Sequence, residues 1–222
     1  MARRELPATR GLPAKAAPRR SRKHAAMERS RAQIVTGAQV VLAEIGPSAT
    51  IDQVAKASAM ATSTIYLHFS DRDALFTEAL VTAHQAWERW AASAVSAIPK
   101  ELDRFVTISR LFIRAGTTHP LYGKMVAHSI GVIGSQLPRF TQQVTAQITT
   151  LERQGIITAE QLPLRSETFA TCLFGALISQ LRSSNAKRAD NTIEIALGLL
   201  GMEPDEARTL AHAPLPKMKA VM

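Results

Sequence analysis

Thr62, Ser63, Thr64, Tyr66 and His68 fall within seven residues of one another, and Arg72 follows shortly after, in a chain of 222 residues. These side chains suit recognition by hydrogen bonding. Serine and threonine hydroxyls bond to base edges, and a threonine methyl touches a thymine methyl. A tyrosine hydroxyl bonds a phosphate and fixes register. His68 and Arg72 would add phosphate contacts. The plainer alternative is that Thr62 caps a helix and Tyr66 packs. No Lys or Arg occurs between residues 61 and 71, so the charge for polyanion binding would have to come from elsewhere.

The net charge of +9 supplies it unevenly. Residues 1–31 hold ten Lys or Arg against two Glu, and residues 32–222 hold seventeen against sixteen acids. The excess lies on an N-terminal arm with Pro7, Pro13, Pro18 and Gly11. Residues 1–24 are expected to be a disordered basic arm. Arg22 and Lys23 would meet phosphates or enter a minor groove. A solubilising tail is the alternative.

Enzyme chemistry finds no support. No HExxH, CxxC or GxSxG occurs. His119 and His128 read as flanking a loop, which is no helix-face metal pair. Cys172 stands in apolar "FATCLFGAL", where a thiol is inert. Glu101 and Asp103 serve a helix N-terminus. No catalytic group, metal site or cofactor is expected. A single cysteine forms no internal disulfide and fits a cytoplasmic location. There is no apolar run of about 18 residues, so no membrane span is expected, and no export signal is seen.

The positioning elements read as helices throughout. Ile34, Ala38, Val41, Leu42 and Ile45 form a stripe over residues 25–45, stopped by Gly46 and Pro47. Thr50 caps a short second helix, with Gln53 completing a capping box, and Thr50 is also expected to contact DNA. A third runs from Ala61 or Thr62 to His68. Both are too short to stand alone and must be held by the first. Long helix, short helix, tight connection, short helix is the helix-turn-helix arrangement. Ser70 or Asp71 caps a long run reaching Trp87 and Trp90. Later helices include 135–154, kinked at Pro138, then 164–182 after Gly155, and finally 189–200 before Gly201. The tail from Pro214 is expected to fray.

Residues 31–76, "RAQIVTGAQVVLAEIGPSATIDQVAKASAMATSTIYLHFSDRDALF", resemble the N-terminal DNA-binding domain of the TetR family of bacterial transcriptional regulators. Gly46, Thr50, "VAKA", Thr64, Tyr66, Phe69, Asp71, Arg72 and Leu75 carry the likeness. Four positions depart from it. Ala59 replaces a turn glycine and Ala61 a capping serine. Ser63 stands at a position that is often glycine, and Arg72 replaces lysine.

The resemblance implies an all-α protein. A three-helix DNA-binding head would span 25–75, a ligand-binding and dimerisation body 76–212, and a flexible tail 213–222. It implies a homodimer on a double-stranded operator. A small hydrophobic or aromatic effector would be held among Trp87, Trp90, Phe105, Phe112, Met125, Phe140, Leu173 and Phe174. Phe169, Leu173, Leu177 and Leu181 repeat at four-residue spacing. With Ile193 and Leu197 they are expected to pair the two copies, unless the stripe faces its own core. Effector binding would tilt the helix beginning near Asp71 and release DNA, making the chain a repressor. A DNA- or partner-binding helical protein without small-molecule response is the alternative, favoured by a filled body.

Overall fold

The computed structural model describes the backbone of residues 19–129 and 137–216, with side chains over 22–128 and 141–216. Four helices build the head: α1 (Arg19–Glu44), α2 (Ile51–Ser58), α3 (Thr62–His68) and the first half of α4 (Arg72–Ala94). α1 already runs from Arg19, so residues 19–24 are helical and not the disordered arm expected of them. The stripe on α1 buries Ile34, Val35, Ala38, Val41 and Leu42. They meet Val54 of α2, Ile65 of α3, and Leu75, Phe76 and Ala79 of α4 in one core. Ile45, counted in the stripe from sequence, is exposed.

Short elements in this head are tied at both ends. The Thr50 hydroxyl accepts from the Gln53 N–H at 3.3 Å, and Gln53 Oε1 accepts from the Thr50 N–H at 2.8 Å. This is the capping box read from the sequence. At the other end the Met60 N–H donates to the Ala55 carbonyl and the Ala59 N–H to that of Lys56, a Schellman closure. Gly37 lies beneath this end: a Cβ there would stand 2.7 Å from Ser58 Cβ and 2.9 Å from its backbone nitrogen.

The closure puts Ala59 in the left-handed region at φ 52°, ψ 38°. A side chain there costs about 1 kcal/mol. Ala59→Gly is therefore expected to raise Tm by roughly 2–4 °C, less the entropy glycine returns to the unfolded chain. A fall in Tm would contradict the strain.

The body adds α5 (Glu101–Ile113), α6 (Ala115–Thr118), α7 (Pro120–Ser129), α8 (Leu137–Arg153), α9 (Leu162–Arg182), α10 (Ala186–Gly198) and α11 (Pro204–His212). Its core is continuous from Trp87 and Ala91 of α4 through Phe105, Phe112, Ile148, Phe169 and Leu177 to Ile193, Ala207 and Ala211. α11 was not expected. Its Pro204 start and acidic first turn, Asp205 and Glu206, are sound helix-opening signals. Among the described residues α8 begins at Leu137, so Pro138 stands in its first turn, where a proline is tolerated. His119 immediately precedes α7 and His128 lies in its last turn, so the residues between them are helix and not loop.

Head and body share parts. α4 runs from one core into the other, and Ala83 packs against both. α7 packs on α1 and α4. Its Met125 is wholly buried among head residues, and His128 lies under Gly46.

A buried ion cluster fastens α10 to α5. Asp190 Oδ1 accepts from Arg110 Nε at 2.9 Å and from Arg114 Nη2 at 2.6 Å. Arg110 also donates to the Ala213 carbonyl, and Arg114 to that of Ala186, so the cluster holds the segment after α11 as well.

Candidate nucleic-acid interface and body cavity

Ile65 is the residue of α3 that reaches the core, and Phe69 seals the C-terminal end. That orientation decides what α3 shows outward. Ser63, Tyr66 and Leu67, at i, i+3 and i+4, form its exposed face, with Tyr66 54% and Leu67 81% accessible. Ser63 and Tyr66 were expected there. Leu67 was not, because an apolar residue beside a buried isoleucine reads as core until the helix phase is known.

The other named residues take mixed positions. Thr62 and Thr64 are half-buried at the flanks, and the Thr62 hydroxyl donates to Asp52 Oδ1 at 3.4 Å. No side chain caps α3, consistent with alanine at position 61. The oxygen of Thr50 is engaged in its cap. His68 is half-buried. Arg72 reaches back to the carbonyls of Pro47 and Ala49 at 3.4 and 3.5 Å and pairs with Asp73 at 3.2 Å. Arg22 and Lys23 are exposed on α1.

Asp71 caps α4 by accepting from the Ala74 N–H at 2.8 Å. That bond, with one from Ser70, holds its carboxyl below the usual carboxylate range. Arg31 of α1 is a functional neighbour that the sequence does not single out. It donates to the His68 carbonyl at 2.7 Å, forks onto Glu78 of α4, and lies 4.3 Å over the Phe69 ring. It thereby satisfies the last turn of α3 and fixes that helix to its neighbours. An arginine in a basic run carries no sign of this in sequence.

In the body, Trp87 stacks on Tyr122 at 5.5 Å and meets Phe112 edge-on at 5.5 Å. Burial, and then the charge of Glu88, push the Tyr122 phenol far up, so it stays protonated. Its hydroxyl lies 2.6 Å from His84 Nδ1, within hydrogen-bonding distance. His84 Nε2 faces Glu88 at 3.5 Å and Gln143 Oε1 at 3.5 Å, and Gln143 Nε2 donates to Glu88. This polar row from α4, α7 and α8 borders a cavity of about 40 Å³. Trp87, Phe105, Phe112 and Leu173 line it, with Ser109 and Gln147. The indole N–H of Trp87 is buried and has no hydrogen-bond partner among the described residues.

Four of the eight expected lining residues are thus brought together. Met125 is not among them: it faces the head core, because α7 lies against α1. Trp90 instead meets the His119 ring at 4.2 Å. Phe174 packs edge-on behind Phe112. The Phe140 side chain lies outside the described residues. A larger open groove of about 860 Å³, between Pro99–Arg104 and α11, has charged walls and no aromatic ring.

The expected pairing stripe also needs correction. Phe169, Leu173, Leu177, Ile193 and Leu197 are buried in their own core. Leu181 is half-buried against Gly116. Four-residue spacing marks an apolar face without saying what covers it.

The head has the helix-turn-helix arrangement, with α2 and α3 packed on α1. The sequence profile of bacterial regulatory proteins of the tetR family matches residues 34–79, the helix-turn-helix segment of the chain. No curated protein sequence matches significantly. Among solved structures, RolR in complex with its ligand resorcinol is 22% identical, covering 88% of this chain and all of that one, with a TM-score of 0.68. A gamma-butyrolactone receptor (ArpA-like protein) is 16% identical over 84% of this chain and 96% of that one, TM-score 0.59. NalD, the secondary repressor of the MexAB-OprM multidrug efflux pump in Pseudomonas aeruginosa, is 15% identical over 79% and 97%, TM-score 0.58. Among the described residues no helix is long and apolar enough to cross a membrane, and none group to hold a metal ion.

Proposed function

We propose that the chain is a homodimeric repressor whose heads read an operator through Ser63, Tyr66 and Leu67, and whose body releases DNA on binding a small hydroxylated aromatic molecule. The observation that carries the effector is the cavity edged on one side by aromatic rings and on the other by the Glu88–His84–Gln143 row. The likeness in fold to RolR, which holds resorcinol, supports the same class.

The cavity of about 40 Å³ is well below the several hundred Å³ of ordinary ligand sites. A ring enters by displacing Gln143 and turning His84 or Glu88. Both of the latter ride on α4, which runs into the head core, so entry and head position are coupled. Only a differential affinity for the shifted state releases DNA.

The partner copy has a suitable surface. Leu164, Thr168, Thr171 and Gly175 lie exposed along α9, and Ile195 is 77% exposed on α10. A Cβ at Gly175 or Gly198 would meet nothing within 4 Å, leaving room for a closely packed helix.

Trp87 and Trp90 are the chain's two tryptophans, so effector entry can be followed by their fluorescence. Phenol, catechol and resorcinol are titrated into protein bound to labelled operator. Quenching that is lost in Trp87→Phe and runs parallel with DNA release is expected. No quenching and no release by any of them would favour a regulator without an effector, the reading that the small cavity also fits.

A further inference from the structure

The basic segment gains a defined shape from the structure. At Arg31, α1 lies beside the C-terminal end of α3 through the bond to the His68 carbonyl, and beside α4 through Glu78. Upstream of that point residues 22–29 are exposed without exception. The helix nevertheless continues back to Arg19. Twelve residues at 1.5 Å each make a projection about 18 Å long. It carries Arg19, Arg20, Arg22, Lys23 and Arg29 against Glu28 alone. Short helices are marginal in water by themselves, and here like charges are crowded along one.

We propose that this projection is a rigid extension of the DNA interface, lying along the phosphate backbone that flanks the groove entered by α3. Two observations favour phosphates over a freely solvated tail. The projection leaves the head at the corner where α3 ends and α4 begins, beside the recognition face. Its charge is complementary to a polyanion with one phosphate every 3.4 Å of each strand, so its length spans about five. α3 itself contains no Lys or Arg. The recognition helix reads with uncharged groups, and the projection supplies the salt-dependent affinity. This rests on the DNA-binding reading but not on the operator sequence or on any effector.

The test compares the full chain with Arg22→Gln/Lys23→Gln, and with Ala26→Pro, which keeps every charge and breaks the helix. All substituted positions are exposed and lie upstream of Arg31, so the head core should keep its fold, and thermal unfolding checks this. Binding to a selected operator and to mixed-sequence duplex is measured across a potassium chloride series. For the double variant the slope of log K against log salt is expected to fall by about 0.9 for each phosphate left without its cation. Both DNAs should weaken alike, so that the specificity ratio is kept. Ala26→Pro should lower the slope by a comparable amount. An unchanged slope in the double variant would overturn the proposal. A normal slope in Ala26→Pro would overturn the rigid helix in favour of a loose tail. A selective weakening on operator DNA alone would overturn backbone binding in favour of base or minor-groove reading. If the parental chain binds both DNAs equally, operator reading fails, yet the slope difference still tests the projection.

Discussion

Asp190→Ala is expected to destabilise the protein by about 3–5 kcal/mol, the range for removing one partner of a buried ion pair. Both guanidinium groups of Arg110 and Arg114 rest on one carboxylate oxygen, and the two residues are only 3% and 9% exposed. Without Asp190, two buried cations face each other along one side of α5. The loss should appear as a lower urea midpoint with an unchanged m-value. Asp190→Asn preserves volume but removes the charge, and is expected to cost nearly as much. Because the cluster fastens α10, whose outer side carries Ile195, the damage should reach the pairing surface proposed above before it reaches the head. A loss below about 1 kcal/mol in both variants, the range of exposed pairs, would show that the arginines find other partners.

Ile65→Ala is expected to abolish operator binding. Ile65 is fully buried and is the side chain that seats α3 in the head core. Deleting its branches costs about 2–5 kcal/mol. α3 has seven residues, too few to remain helical once unseated. The body core is a separate cluster. Its tryptophan response and its oligomeric state should therefore survive in the same sample. Operator affinity within about tenfold of the parent, ~1.4 kcal/mol, would show that α3 is held by Arg31 and the Schellman closure instead.

The head was legible because its signals are local. Thr50 with Gln53, Gly46 with Pro47, and Asp71 before a periodic run each specify a helix end within four residues. What escaped depended on rotation or distance. Leu67 became visible only when Ile65 fixed the phase of α3. Met125 has the character of a body-core residue, and only the packing of α7 on α1 moves it into the head. The stripe from Phe169 to Leu181 was recognised as apolar, but period alone cannot tell an interior face from a partner's. The exposed face of α9, with Thr168, Thr171 and Gly175, gives no hydrophobic signal in sequence. Arg31 and Asp190 hold their ends of long-range pairs, 47 and 80 residues away from Glu78 and Arg110. No local pattern announces such pairs.

Sequence-specific binding of duplex DNA by the α3 face tests the central claim most directly. The full chain would be used to select ligands from randomised duplex DNA. The recovered sequence would then be measured by fluorescence anisotropy against its scrambled form. The parental protein should recover an inverted repeat with half-sites about one helical turn apart or a multiple of it. It should bind that DNA at least about a thousandfold more tightly than scrambled DNA, with the preference lost in Ser63→Ala/Leu67→Ala. No enriched sequence, or an enriched one bound equally well by the double variant, would contradict an operator read by Ser63, Tyr66 and Leu67.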